Sequence, residues 1–434
     1  MRSNVAVVVL NTLRRDHFHE HFDRLRGQFY ARAFSASHWT IPAHASLYTG
    51  QYGSELGVTA KSPTMDCDAT TLPEALSAAG YRTQLLTANP QLVVWDGWDR
   101  GFNETVPPSR LPPEADGTFE WNRFKARSDR TGLAMYTESV VACVRSEYPT
   151  VRSLQRGLSL AWKGTSRAED VTRRISATDF ADRGEFLFVN LMDAHTPYDP
   201  PAAYAIAETP QTVTVAKALA GGPENSDAVS GAYDDTVRYP ADAYRDLYDE
   251  LTDTFDYVVT VADHGELLGE EDWWNHGIGL RPELCHVPLV VSGEGFPTGE
   301  TDTPASLVDI PVTIAELAGV ELSSDTRGKD LRSLSDDRTF LTEYHGLLPF
   351  HKDQFERHGV TDRYAEFDTQ FDGVVTGDGY TYRTPDGNVS VVGDVSEPVS
   401  HLDQAREDVP RTDSGGTNNV SVAVENRLRD LGYA

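Results

Sequence analysis

Five short runs dominated by Val, Leu and Phe constrain this chain more than any other feature. They are NVAVVVL at 4–10, TQLLTA at 83–88, EFLFVNLM at 185–192, DYVVTVA at 256–262 and VPLVVSG at 287–293. A run that is apolar at nearly every position, without alternation, fits a strand buried on both faces. Helical patterns lie between the runs. TLPEALSAAG opens on a threonine cap and stops at a glycine, and ASLVDIPVTIAELAG at 305–319 has helical spacing after its proline. Strand and helix alternate, which predicts an α/β fold, a large mostly parallel sheet sandwiched by helices.

Two regions depart from that rhythm. Residues 107–180 hold no strand candidate and read as a mainly helical insertion. Between Glu120 and Ile175, 11 Lys and Arg face 6 Asp and Glu, a local net of +5. Two readings stay open there: a cap that happens to be basic, or a basic lid over an anionic substrate or a lipid surface. From about residue 370, FDGVVTGDGYTYRTPDGNVSVVGD pairs short strands with Asp-Gly turns, so a small C-terminal antiparallel sheet is expected. The domain reading is a catalytic α/β domain over 1–335, a β subdomain over 336–403, a linker over 404–419 and a last helix over 420–434. That helix places Val420, Val424, Leu428 and Leu431 on one face.

Charge narrows the partners. The formal net charge is −29, and the 38 basic residues are 32 Arg and 6 Lys. A uniformly acidic, lysine-poor surface suits a protein kept soluble in concentrated salt, so a halophilic source is expected. Non-specific nucleic-acid binding needs a net basic surface and is excluded. Three cysteines give neither a disulfide framework nor a paired metal spacing. The run Val5–Leu10 is too short for a signal-peptide core, and no segment reaches membrane-spanning length, so the expectation is a cytoplasmic protein without a transmembrane segment.

In open parallel sheets the working groups cluster beyond the carboxyl ends of the strands. The first run ends at Asn11-Thr12, the third delivers Asp193 and His195, and the fourth delivers Asp263 and His264. SHWTIPAHASLYTG then raises one question. Thr40 could cap a helix, the everyday use of Thr-x-Pro. It could also be a nucleophile, since a hydroxyl at a helix N-terminus sits in a positive potential that favours an alkoxide and a bound anion. His44, four residues on, shares its helix face. HFHEHF, with His17, His19 and His21, reads as a solvated segment, able to bind a metal only adventitiously.

VAVVVLNTLRRDHF, WTIPAHASLYTGQYGSELGV, GYRTQLLTAN, NLMDAHTPYDPP, VVTVADHGELLGEEDWWNHGIGLRPELCHVPLVV and SLVDIPVTIAELAGVEL resemble, in order, the successive motifs of the sulfatase family within the alkaline phosphatase superfamily. The resemblance implies a hydrolase of phosphoric or sulfuric esters with one divalent metal ion (Mn, Mg, Zn or Ca). Thr40 falls at the nucleophile position. Asn11, Thr40, Asp263 and His264 match the metal-ligand positions, Asn11 standing where an aspartate is usual. His44 stands where the family has an arginine. His195 matches a histidine beside the transferred group, and His276 falls where relatives carry a lysine or histidine facing the ester. Glu343 and His345 are candidates for supporting roles.

The departures matter as much. Threonine cannot be matured into the formylglycine of ordinary sulfatases, so no formylglycine is expected. The Gly-Lys-Trp-His stretch expected after GYRT is replaced by TANP at 87–90. These losses favour a phosphoester over a sulfate ester, attacked by Thr40 to give a covalent intermediate. The expected substrate is a small anionic ester, sugar- or lipid-linked. Two alternatives accompany this reading: a transferase passing the group to a sugar or lipid alcohol, and a catalytically degenerate protein that keeps the pocket for anion binding.

Overall fold

The computed structural model describes residues 2–107, 132–146, 148–150, 153–154, 168–181, 183–208, 210, 212–323, 325–348 and 351–412. In chain order the elements that build and surround the site are β1 (Val5–Leu10), α1 (Arg15–His21), β2 (Gln28–Tyr30), β3 (Ala33–Phe34), α2 (Thr40–Thr49), α3 (Leu72–Ala78), β4 (Arg82–Thr87) and β5 (Glu104–Val106). There follow α4 (Gly132–Arg145), α5 (Ala168–Ser176), β6 (Glu185–Leu191), α6 (Val215–Leu219), α7 (Ser226–Thr254), β7 (Tyr257–Val261), β8 (Leu289–Ser292), β9 (Gly299–Thr301) and β10 (Ala305–Ser306). The chain continues through α8 (Asp309–Ala318), β11 (Phe340–Tyr344), α9 (His351–Arg357), β12 (Phe371–Thr376), β13 (Gly379–Arg383), β14 (Val389–Gly393) and α10 (Pro398–Glu407).

The main sheet has eight strands in the order β5-β4-β6-β1-β7-β8-β2-β9. β5 through β7 are parallel, whereas β8 runs antiparallel to β7 and β2 antiparallel to β8. All five runs read as strands are strands, the fifth with its direction reversed. β7 and β8 are neighbours in the sheet and their connection carries no crossover helix, which is what permits the reversal.

Burial on both faces follows from the apolar runs. Val5, Val7 and Val9 of β1 pack in the core that also holds Ile41, Leu47, Leu72, Leu76 and Ile314, from α2, α3 and α8. Ala6, Val8 and Leu10 pack in the opposite core with Phe18 of α1 and Tyr233, Val237 and Leu247 of α7. α3 begins as its sequence indicates, with the Thr71 hydroxyl accepting from Glu74 N and Glu74 reaching back to Thr71 N. α8 stops at Gly319, whose φ of 64° is left-handed.

A separate four-stranded antiparallel sheet, β11-β12-β13-β14, forms the C-terminal part. The region read as a linker from residue 404 opens inside α10, which runs to Glu407. The cause is a buried ion pair: Arg406 donates to Glu343 at 2.7 Å and to Asp372 at 3.1 Å. Thr412 N then donates to the Ser54 carbonyl at 2.8 Å. Within 107–180 the described residues are mainly helical, most of them in α4 and α5. Most of the basic segment, with Arg152, Arg156 and Lys163, and the helix expected over 420–434 lie outside the described residues. Among the described residues no helix is long and apolar enough to cross a membrane.

Candidate active site

Strand register brings the first two site residues together. β1 and β7 are parallel with Val9 opposite Val261, so Asn11 and Asp263, two residues further along each strand, emerge side by side. Side-chain alternation points both toward the face covered by α2, since Val9 and Val261 lie in that core. Asn11 Nδ2 donates to Asp263 Oδ2 at 2.6 Å.

Thr40 meets them from that face. α2 is buried at all ten positions, and the residue that caps it is Trp39, which makes no side-chain cap hydrogen bond. Thr40 is thus the first helical residue, and its hydroxyl is not spent on capping. Thr40 Oγ1 lies 3.3 Å from Asn11 Nδ2, which donates to it, and 3.2 Å from His264 Nε2. His264 directs Nδ1 at the Gly265 carbonyl at 2.9 Å, which leaves Nε2 to accept the threonine proton.

The rim of β1 holds a rare backbone conformation. Thr12, fully buried, has φ of 62°, an outlier for a β-branched residue. Three contacts hold it there. Thr12 N donates to Asp263 Oδ1 at 3.0 Å, its hydroxyl donates to Asn11 Oδ1 at 2.8 Å, and its carbonyl accepts from Tyr233 of α7 at 2.8 Å.

His44 sits behind Thr40. Its Nδ1 lies 2.9 Å from the Thr40 carbonyl oxygen, and its Nε2 accepts from Asn190 Nδ2 at 2.9 Å. The catalytic role implied for His44 by its arginine-equivalent position therefore needs correction. Buried against Phe188, the ring steadies the first turn of α2 and Asp263, from which Nδ1 is 3.7 Å, and it does not line the cavity that His195 and His276 line. Asp193 is also elsewhere, accepting from Ala168 N at the start of α5.

His195 and His276 stand on the open side. Their ring centroids are 5.1 Å apart, and His276 is 4.8 Å from His264. Both line a cavity with His38, Trp39, Thr214 and Gln354, and among the described residues no lysine, arginine, aspartate or glutamate lines it. Buried Gln354 presents an Oε1 without a hydrogen-bond partner among the described residues. Behind His276 is a residue that the sequence reading passed over. Glu266, fully buried, holds His276 Nδ1 at 3.1 Å from each carboxylate oxygen and accepts from the Tyr198 hydroxyl at 2.9 Å. Gly265 makes that turn possible, because a Cβ there would meet the Glu283 carbonyl oxygen at 2.0 Å. Its sequence signal is DHGE itself, an acid one turn beyond the rim pair. Glu343 and His345 lie behind the loop before α2, with the carboxylate of Glu343 bonded to Ser54 and Arg406.

Burial dominates the protonation states. It lowers His264 to about 3, the neighbouring His276 adding to the effect, His276 to about 4 and His195 to about 3. These rings are neutral at pH 7. Burial raises Asp263 against the pull of His44 and the N–H groups of Thr12 and His264, and raises Glu266 to about 7. The Glu266 carboxyl, against His276 Nδ1, is thus partly protonated near neutrality.

The donor set fits one divalent cation. Thr40 Oγ1 to His264 Nε2 is 3.2 Å and His264 Nε2 to Asp263 Oδ2 is 3.5 Å. Ligands at about 2.1 Å from one tetrahedral ion stand about 3.4 Å apart. Asn11 would complete the set through Oδ1, after its amide turns over. With one carboxylate and one imidazole, the set is weak in charge.

A hydroxyl at a helix N-terminus thus lies beside an Asp-His pair on the rim of an open, mostly parallel α/β sheet. Residues 16–320 match the sulfatase family model. The chain belongs to the sulfatase family, and its fold is that of the alkaline phosphatase superfamily. It is 21% identical to the uncharacterized sulfatase YidJ of Escherichia coli over 344 residues, 72% of this chain and 65% of that one. It is 40% identical over 91 residues to the low-salt glycan biosynthesis sulfotransferase Agl7 of Haloferax volcanii, 18% of this chain and 22% of that one. This chain thus spans just under two thirds of the first relative and about a fifth of the second. The phosphonate monoester hydrolase of Silicibacter pomeroyi superposes with a TM-score of 0.63 at 17% identity, over 94% of each chain.

Proposed function

We propose that this chain transfers the group of a singly charged phosphoric or sulfuric ester, phosphodiesters foremost, using Thr40 as nucleophile. The observation that carries this is the placement of Thr40 Oγ1 at the start of α2, free of capping and within 3.3 Å of Asn11 and 3.2 Å of His264. Charge balance favours a single negative charge. With the histidines neutral, Asp263 contributes −1, a divalent cation would leave the seat at +1, and among the described residues no lysine or arginine lines the cavity. A monoanion balances that charge, whereas a phosphate monoester dianion does not.

The residues divide the work. A divalent cation held by Asp263, His264, Thr40 and the turned Asn11 amide would lower the pKa of the threonine hydroxyl and polarise the ester. Thr40 gives its proton to His264 Nε2 or, with a cation on that nitrogen, to water. Its oxygen then bonds to phosphorus or sulfur while the bond to the leaving oxygen breaks. The proton shared by Glu266 and His276 moves to that departing oxygen. Water or an acceptor hydroxyl then attacks the threonine ester, and Thr40 is released. The uncharged cavity beside His195 and His276, with the Gln354 acceptor inside it, suits a leaving alcohol rich in hydroxyl groups, such as a sugar.

The 91-residue likeness to a sulfotransferase supports a second reading, transfer to a sugar or lipid alcohol rather than to water. Both readings share one test. Aryl phosphodiesters, aryl sulfates and aryl phosphate monoesters are assayed in molar KCl with Mg²⁺, Mn²⁺, Ca²⁺ or Zn²⁺, with and without added sugar or glycerol. Turnover is expected on singly charged esters ahead of the monoester dianion, and Thr40→Ala lowers it by about a thousandfold. A Thr40→Ala variant equal to wild type on every substrate ends the proposal, and the products formed with acceptor present separate hydrolase from transferase.

A further inference from the structure

Asn11 stands where the family resemblance expects an aspartate, and its amide already does part of what a cation would do there. Its Nδ2 bridges two acceptors, Asp263 Oδ2 at 2.6 Å and Thr40 Oγ1 at 3.3 Å. Its Oδ1 faces away from them and accepts from the Thr12 hydroxyl at 2.8 Å. An ionised carboxylate only accepts, so the amide atom facing Asp263 is the nitrogen. At 2.6 Å the contact is a hydrogen bond and is shorter than the spacing of two oxygens on one tetrahedral ion.

The consequence reaches every group in the seat. Asp263, fully buried, accepts from three N–H groups: Asn11 Nδ2, Thr12 N at 3.0 Å and His264 N at 2.9 Å. Three such bonds stabilise a buried carboxylate that has no other counter-charge in contact among the described residues. Thr40 Oγ1 is likewise fixed, accepting from Asn11 and donating to His264. An aspartate at position 11 would set two carboxylate oxygens against each other at hydrogen-bond distance with nothing between them, a geometry that only a cation or a shared proton can hold.

We infer that Asn11 is a positioning residue that assembles the nucleophile's seat without a cation, and that a cation binds by displacing the amide nitrogen from between Asp263 and Thr40. The seat is therefore formed before the ion arrives, and the ion is bound loosely and exchanged readily. This rests on the reading that the seat accepts a cation, yet its first consequence concerns the cation-free protein.

Thermal melts in molar KCl with EDTA or with Mn²⁺, together with Mn²⁺ titration calorimetry, test it on wild type, Asn11→Asp and Asn11→Ala. Wild type is expected to melt at the same temperature in EDTA as in KCl alone. Asn11→Asp should lose about 5 °C or more in EDTA, regain it with Mn²⁺, and bind Mn²⁺ at least about tenfold more tightly than wild type. Asn11→Ala should lose stability in EDTA and not regain it. An Asn11→Asp protein as stable as wild type in EDTA overturns the inference, as does a wild type that melts lower when chelated. If wild type takes up no Mn²⁺ while Asn11→Asp behaves as described, the positioning role of Asn11 stands and the cation is struck from the proposed mechanism instead.

Discussion

At the residue scale, the four side chains to which the proposal gives most of the chemistry were unequally legible. Asn11 and Asp263 can be located from sequence, because two apolar strands of known parity end in them and parity fixes which face they share. Thr40 could not be assigned from sequence, since a helix cap and a nucleophile use the same local pattern. The position of Trp39 as the capping residue removes the cap reading and leaves the nucleophile as the proposal. Glu266 was less visible still: its partner His276 is ten residues away, across an irregular segment that local periodicity does not describe. If Glu266 and His276 together deliver the proton to the leaving group, their effect must depend on what leaves. Glu266→Gln is expected to slow an alkyl ester by about a hundredfold and a p-nitrophenyl ester, whose leaving group needs no proton, far less. Equal losses on both substrates would remove the pair from that role.

At the element scale, α2 and α10 illustrate what local pattern can and cannot reveal. α2 shows every position buried, so no polar face betrays its surroundings. Residues 404–407 looked like part of a linker because their composition is polar, yet Arg406 inserts among Glu343, Asp372, Ser54 and the Val409 carbonyl. Such a buried polar anchor reads as surface in a sequence. It has a pH signature. Burial pushes the Glu343 carboxyl up, but His345, Arg406 and Ser54 outweigh it and bring the carboxyl down to about 2. A folded value below the unfolded one, near 4.3, stabilises fully above that pH and is lost as pH falls toward 2. Arg406→Ala should cost about 3 kcal/mol at pH 7, by leaving a buried carboxylate without its counter-charge. The gap between variant and wild type should then narrow as pH falls from about 4.3 toward 2, measured by denaturant melts. A gap that stays constant across that window would show that Arg406 acts through packing alone.

At the scale of the whole molecule, the eight-stranded sheet brings to one rim residues that are far apart in sequence, numbers 11, 40, 263, 264 and 276. Alternation of strands and helices made that architecture readable, and the strand-end rule made the rim readable. The reversed β8 was not, because a buried strand has the same composition in either direction. A net charge of −29 spread over the chain affects the conditions of any assay, not the geometry of the rim. The claim on which the rest depends is that Thr40 becomes covalently modified during turnover. It is tested by quenching the intact protein in acid during turnover of a slow aryl phosphodiester or sulfate, and mapping the modified peptide by mass spectrometry. The account predicts one added phosphoryl or sulfuryl group on Thr40, absent from Thr40→Ala. A turning-over enzyme that carries no group on Thr40 at any time point, or carries it on another residue, would contradict it.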